Sequence, residues 1–277
     1  MAWVDRDGVR IWYEVEGAGP PVLLLHGGAG TGDVWRFAGY VDTLRDDFQL
    51  ILVDARGHGR SDRPDDYREY RISSHVADAI AVLDDLEVSR AAAVGFSMGG
   101  STALALAALH PDRIAVVVSL DADGGGVGFA DHRVPTTQDD WDLVATVERE
   151  GLRPLIEMLE SEGRPEFAAM FARMDPAAFA RQTRAWADPD ELDVGVRDIK
   201  APVLYFFGDP TGSQPVMPSS ASVIPIPGAD HAGVLEATDI VIPAVRDHLR
   251  KAFQSLTGGQ ASADRRGATG RASAKGE

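Results

Sequence analysis

The stretch Arg90-Ala91-Ala92-Ala93-Val94-Gly95-Phe96-Ser97-Met98-Gly99-Gly100 decides how this chain is read. Ala91 to Val94 is an apolar run of strand length, and Ser101 to Leu109 is a run of small and apolar residues suited to a helix. Between them, Gly95-x-Ser97-x-Gly99 leaves one serine on a very tight strand-to-helix turn. Such a turn strains the backbone and pushes the hydroxyl out beyond the sheet edge. The flanking glycines let strand and helix approach where a Cβ would clash. The helix that follows directs its N-terminus at Ser97 and favours negative charge developing there. The pentapeptide alone is a weak signal, and the strand before it and the helix after it give it specificity. The competing reading is a plain Gly-rich turn, and the rest of the chain decides between the two.

The sequence has 277 residues, of which 44% are hydrophobic and 25% charged. That suits one large α/β domain or two small ones with a sizeable core. The formal charge of −16 argues against nucleic acid and anionic membrane as partners, because phosphates would be repelled. There is no cysteine, so disulfides, thiolate nucleophiles and Cys-ligated metals are excluded. The first residues, Met-Ala-Trp-Val-Asp-Arg-Asp-Gly, lack a basic segment followed by an apolar one. No apolar run approaches the ~20 residues needed to span a bilayer. The expectation is a cytoplasmic protein acting on a small molecule.

Outward from Ser97 the chain alternates strands and helices. Trp3 to Glu16 predicts a hairpin through Asp7-Gly8, with Val9, Ile11 and Tyr13 alternating against polar neighbours. Val22 to Leu25 and Phe48 to Val53 predict buried parallel strands. Asp33 to Asp46 predicts a loop and one helix, and Ser73 or Ser74 a helix cap. Ile114 to Leu120, Pro202 to Phe207 and Ser222 to Pro227 complete the strands, and a closing helix lies within Asp239 to Ala252. From Val127 to Val196 the strand signal stops and helical patterns broken by prolines take over. There Phe167, Met170, Phe171 and Met174 fall at i, i+3, i+4, i+7, a stripe that suits either core packing or an apolar ligand. This pattern specifies a mostly parallel α/β sheet with helices on both faces. The expected division is a core of residues 1–126 and 197–256, a helical cap insert over 127–196, and a disordered tail over 257–277.

The order His26-Gly-Gly, Asp54-x-Arg-Gly-His-Gly-x-Ser-Asp62, Gly95-Phe-Ser-Met-Gly99, Gly208-Asp209 and Gly228-Ala-Asp-His231 resembles the α/β-hydrolase superfamily. The resemblance covers Val9 to about Phe253. It implies an eight-stranded sheet, a serine nucleophile after the fifth strand, and a triad in the order Ser, acid, His. It also implies oxyanion donors at the backbone N–H groups of Gly28 and Met98, with no metal or cofactor. The residues themselves agree on most roles. A serine hydroxyl needs a general base, and His231, in a Gly-flanked segment after the last strand, is the best of the seven histidines. His26 and His58 match motifs that are mainly structural in the superfamily. The acid departs from the usual pattern: the residue three after Gly208 is Thr211, and Asp209 follows the glycine directly. Asp209 is the first candidate. Asp123 or Asp121, after the preceding strand, is the alternative, and no acid at all is the third possibility.

The resemblance points to a serine hydrolase of a small, mainly apolar ester or lactone. Peptidases, carbon–carbon bond hydrolases and cofactor-free haloperoxidases share the serine. A ligand-binding or signalling protein with weak turnover is the reading from another class.

Overall fold

The computed structural model describes residues 1–122, 127–133, 137–189, 191–208 and 216–272. Strands β1 (Ala2–Arg6) and β2 (Val9–Glu16) form the expected hairpin. Asp7 and Gly8 both have positive φ, 53° and 85°, as its tight turn requires. Strand β3 (Pro21–Leu25) leads to helices α1 (Val34–Phe37) and α2 (Tyr40–Leu44), then β4 (Gln49–Asp54). The single helix expected over 33–46 is thus two, broken where Gly39 turns left-handed at φ 77°. Helix α3 (Ile72–Asp85) starts earlier than its expected serine cap. Burial of Ile72 and Val76 sets its start, and Ser73 and Ser74 lie in its first turn.

Strand β5 (Ala91–Phe96), helix α4 (Met98–Leu109) and strand β6 (Ile114–Leu120) follow. A short hairpin, β7 (Gly128–Phe129) with β8 (His132–Arg133), opens the insert. The insert continues as α5 (Gln138–Glu150), α6 (Arg153–Ser161), α7 (Pro165–Phe171) and α8 (Pro176–Ala187). The chain closes with β9 (Val203–Gly208), β10 (Ala221–Ile226), α9 (His231–Glu236) and α10 (Thr238–Ala272). The last helix carries through much of the segment expected to be unstructured, and Pro243 lies inside it.

The main sheet has eight strands among the described residues, in the order β1-β2-β4-β3-β5-β6-β9-β10. The first two pairings, β1 with β2 and β2 with β4, are antiparallel, and all others are parallel. Strand β10 is an edge strand and carries Pro225, whose missing N–H is tolerated in that place. The two-residue period of each strand divides the core into two layers. Leu23 and Leu25 of β3, with Ala91 and Ala93 of β5, face Val76, Val82 and Leu104 of α3 and α4. Val22, Leu24, Ala92 and Val94 face Trp35, Leu44, Val241 and Leu249. Each such fully buried aliphatic side chain contributes about 1.5–3 kcal/mol. The insert has a small core of its own, Val147, Leu152, Phe179 and Ala180, and ties back to the first layer through Val127, Phe129, Leu192 and Val196.

Alanine side chains dominate β5, and this has a reason at its C-terminal end. A Cβ on Gly95 would come within 2.0 Å of the Gly99 carbonyl oxygen, and one on Gly99 within 2.0 Å of the Leu25 carbonyl oxygen. Helix α4 therefore sits directly on the backbone of β3 and β5. We expect Gly99→Ala to destabilise the protein by about 3 kcal/mol, because backbone cannot yield as a side-chain tip can. Urea unfolding of the variant would check this, and wild-type stability would contradict the packing described here.

Candidate active site

Ser97 joins β5 to α4 with φ 52° and ψ −119°, a conformation that costs a non-glycine residue about 1–3 kcal/mol. The strain is held in place from both sides. Ser97 N–H donates to the Leu120 carbonyl at 2.9 Å, and the Ser101 N–H donates to the Ser97 carbonyl at 3.0 Å. The next strand end repeats the device. Asp121 follows β6 with φ 48°, and its N–H donates to the Phe206 carbonyl at 2.8 Å. Two adjacent parallel strands thus end in residues of positive φ, one presenting a hydroxyl and the other a carboxylate.

His231 brings the two together. Its Nε2 accepts from the Ser97 hydroxyl at 2.9 Å, and its Nδ1–H donates to Asp121 Oδ2 at 2.6 Å. The carboxylate can only accept, so it fixes the proton on Nδ1 and leaves Nε2 as the basic nitrogen. Asp121 is itself steadied by the Gly208 N–H, which donates to its Oδ1 at 2.9 Å. The Phe96 ring lies 5.0 Å from the imidazole at 31°. His231 is the first residue of α9, not part of an open loop, and Asp230 caps that helix by accepting from the Gly233 N–H.

Of the three candidate acids, Asp121 is the one seen beside His231. Asp209 and Asp123 lie outside the described residues. Gly28 lies on the glycine-rich segment after β3. A Cβ there would come within 2.2 Å of the Trp186 ring, so this α8 indole covers Gly28. Met98 is buried as the first residue of α4. The four residues of the apolar stripe go to two places. Phe167 and Met170 pack against the sheet layer that contains Val34 and Leu235, while Phe171 and Met174 pack into the core of the insert.

The polar loop after β4 acts as a brace. Asp54 accepts from the Gly32 and Arg60 N–H groups at 2.8 and 2.9 Å. The wholly buried Arg56 makes a two-pronged pair with Asp78 at 2.6 and 2.7 Å. His26 Nδ1–H donates to the Gly27 carbonyl, and its Nε2 accepts from the Ala55 N–H. Burial, more than any charge, pushes its pKa down to about 3. His58 Nε2 lies 2.7 Å from the Gly28 carbonyl and Nδ1 lies 2.9 Å from the Arg56 carbonyl. Burial likewise holds His58 below its ordinary pKa, so a neutral ring donates to one carbonyl at a time. Both histidines, His26 after β3 and His58 after β4, are thus committed to backbone and join the Gly28 segment to the loop.

The insert is tied to the core by polar contacts that the sequence did not flag. Asp188 takes Arg71 and the Tyr67 hydroxyl, Arg181 pairs with Asp65 at 2.8 Å, and Arg164 pairs with Asp230. In the interior, His75 Nε2–H donates to Gln182 Oε1 at 3.0 Å. Trp186 also went unnoticed in the sequence. Its signal was the i, i+7 spacing from Phe179, whose ring it meets edge to face at 6.4 Å. No group of three or more His, Asp or Glu arranged to hold a metal occurs among the described residues, and no described helix is long and apolar enough to cross a membrane.

His26 and His75 predict the acid response of the fold. Burial pushes them down to about 3 and about 4, whereas an unfolded chain has histidines near ~6.5. Below ~6.5 the unfolded chain therefore binds protons that the folded one refuses, and stability falls as pH drops toward the folded values. The unfolding free energy in urea should be lower at pH 5 than at pH 7 by on the order of 4 kcal/mol, about half from each ring. Equal values at the two pH levels would contradict the burial of these rings as neutral groups.

Comparison with known proteins agrees with this architecture. The family described as alpha/beta hydrolase fold matches residues 20–184. A Bacillus subtilis protein assigned as 2-succinyl-6-hydroxy-2,4-cyclohexadiene-1-carboxylate synthase is 31% identical over 56% of this chain and 56% of its own length. The 2-hydroxymuconate semialdehyde hydrolase of Pseudomonas sp. CF600 is 37% identical over 42% of this chain and 41% of its own. The chain therefore spans about half the length of the curated relatives it matches, or less. The enol-lactonase of Burkholderia xenovorans LB400 superposes over 90% of this chain and 100% of its own with a TM-score of 0.73 at 23% identity, which speaks for the fold alone. With an eight-stranded sheet, a serine turn after its fifth strand and a family match over residues 20–184, the chain belongs to the α/β-hydrolase fold family.

Proposed function

We propose that the protein is a serine hydrolase that cleaves a small, mainly apolar ester or lactone through an acyl-enzyme on Ser97. The observation that carries this reading is the continuous hydrogen-bonded relay from the Ser97 hydroxyl through His231 to Asp121. As the serine attacks a carbonyl carbon, His231 Nε2 takes its proton and the ring becomes an imidazolium. Asp121 then faces that cation across 2.6 Å, and the attraction lowers the barrier without moving a second proton. The carbonyl oxygen gains negative charge, which the Gly28 and Met98 N–H groups receive together with the N-terminus of α4. Each such donor is worth about 3 kcal/mol of barrier. The imidazolium returns its proton to the leaving alkoxide, and then activates a water that frees Ser97. Trp186 above Gly28, and the apolar insert behind it, favour a carbonyl substrate with little charge near the reacting bond.

Turnover of p-nitrophenyl acetate tests the reading. Wild type should release nitrophenolate, and mass spectrometry of the quenched enzyme should place an acetyl group on the peptide bearing Ser97. Ser97→Ala should lose both, and no activity above that variant with any short acyl ester would sink the proposal. Asp121→Asn should lower kcat by about 10⁴-fold, since the imidazole would lose its fixed tautomer. Asp209→Asn and Asp123→Asn should stay near wild type, and a 10⁴-fold loss in either would reassign the acid.

A second reading is carbon–carbon bond hydrolysis, favoured by the similarity to the 2-hydroxymuconate semialdehyde hydrolase. Faster turnover of that semialdehyde than of p-nitrophenyl acetate would select it.

A further inference from the structure

Helices α7 and α9 begin at one ion pair. Arg164 stands at the N-cap of α7 in the insert, and Asp230 stands at the N-cap of α9 in the core. The first residue of α9 is His231. The two oxygens of Asp230 have separate duties: Oδ1 accepts from the Gly233 N–H at 2.9 Å, and Oδ2 takes the Arg164 guanidinium. Beyond the pair, the same two helices wall a groove of about 610 Å³ lined by Phe167, Met170, Leu235 and Glu236.

His231 needs support from this side. Its side chain is 57% exposed, and its helix is only 6 residues long. A helix that short has no stability of its own and takes its geometry from its cap and its neighbours. Arg164 is comparatively sheltered at 21% exposure, so its charge stays close to Asp230. The hydrogen bond from Arg164, and after it that from Gly233 N–H, holds the Asp230 carboxyl below the usual carboxylate range.

We propose that Arg164 is a positioning residue for His231: holding Asp230 from the insert, it fixes the start of α9 and so the reach of the imidazole to Ser97. The inference rests on the reading of Ser97 as nucleophile and His231 as base. The insert is then more than a cover, because catalysis depends on its being seated. A reacting pair displaced by about 1 Å can lose 10²-fold in rate, so a latch one residue from the base has leverage out of proportion to its own binding energy.

Two measurements test this on the full chain. The first is kcat and KM for p-nitrophenyl acetate. Arg164→Ala should lower kcat about tenfold with KM within about twofold, because the loss is in alignment, not in binding. Arg164→Lys, which keeps the charge, should recover a third or more of the lost rate. Asp230→Asn keeps an acceptor for the Gly233 N–H but loses the ion pair, and it should match Arg164→Ala. The double variant should be no slower than either single one, as expected of two partners in one interaction. Raising NaCl from about 0.05 to about 1 M should slow the wild type toward Arg164→Ala and leave that variant unchanged. A kcat for Arg164→Ala within twofold of wild type, or losses that multiply in the double variant, would overturn the proposal. The second measurement needs no turnover. The downfield proton resonance of His231 Nδ1–H, identified by its absence in His231→Gln, should broaden or vanish in Arg164→Ala and persist in Arg164→Lys. A sharp resonance in Arg164→Ala overturns the latch whatever the substrate is. The expected resonance changes in a protein without Ser97-dependent turnover would uphold the latch and overturn the hydrolase reading alone.

Discussion

The distance of closest approach between helix α4 and the strands beneath it governs the upper edge of this molecule. Backbone there meets backbone: bare Cα positions at Gly95 and Gly99 lie against the carbonyls of Gly99 and Leu25. Because the helix can come so close, the chain turns from β5 into α4 over a single residue, and that residue must take positive φ. The strained geometry of Ser97 follows from this packing, and the hydroxyl projects because there is nowhere else for it to go. The burial of two apolar layers on the sheet is the reservoir that sustains the strain.

From that edge the rest of the site is assembled by neighbouring strand ends. Strand β3 delivers the Gly28 segment, β5 delivers Ser97, and β6 delivers Asp121, with Gly208 of β9 steadying the carboxylate. Only His231 comes from outside the strands, on a short helix, and it is the most exposed of the group. The strand-end residues are thus held by ladder hydrogen bonds next to them, whereas His231 is held by side-chain contacts from Asp121, Phe96 and the Asp230 cap. That division suits the proposed roles: a nucleophile has to be aimed, and a base has to shift slightly as it takes a proton.

Much of the fold was legible in the sequence because its signals are local. The strands read as apolar runs, the hairpin as Asp7-Gly8, and the serine turn as glycines at fixed offsets. His231 was legible as the histidine after the last strand. What the sequence concealed depends on through-space meetings between distant residues. Asp121 and Asp123 are two residues apart and equally placed by pattern; the place of Asp121 depends on its positive φ and on a hydrogen bond from Gly208, 87 positions away, neither of which a local pattern shows. The break before α2 was set by left-handed Gly39, and the start of α3 by burial of Ile72 and Val76, which overrode the expected serine cap. Phe167 and Met170 were periodic with Phe171 and Met174, yet α7 ends at Phe171 and the four side chains divide between two hydrophobic layers. Arg164 carried no motif at all and Trp186 only its i, i+7 spacing from Phe179, and the contacts of both arise from where α7 and α8 come to rest.

Strand β10 gives the sheet a particular kind of boundary. It is the outermost parallel strand, and Pro225 near its end has no amide hydrogen to offer. A strand from another molecule laid along this edge would find a gap in the ladder where a donor should be. The side that carries the relay therefore ends in a proline-bearing strand that cannot be lengthened without a break. An assembly at this side of the sheet would therefore join through helices or loops, and strand addition is left to the opposite edge, β1.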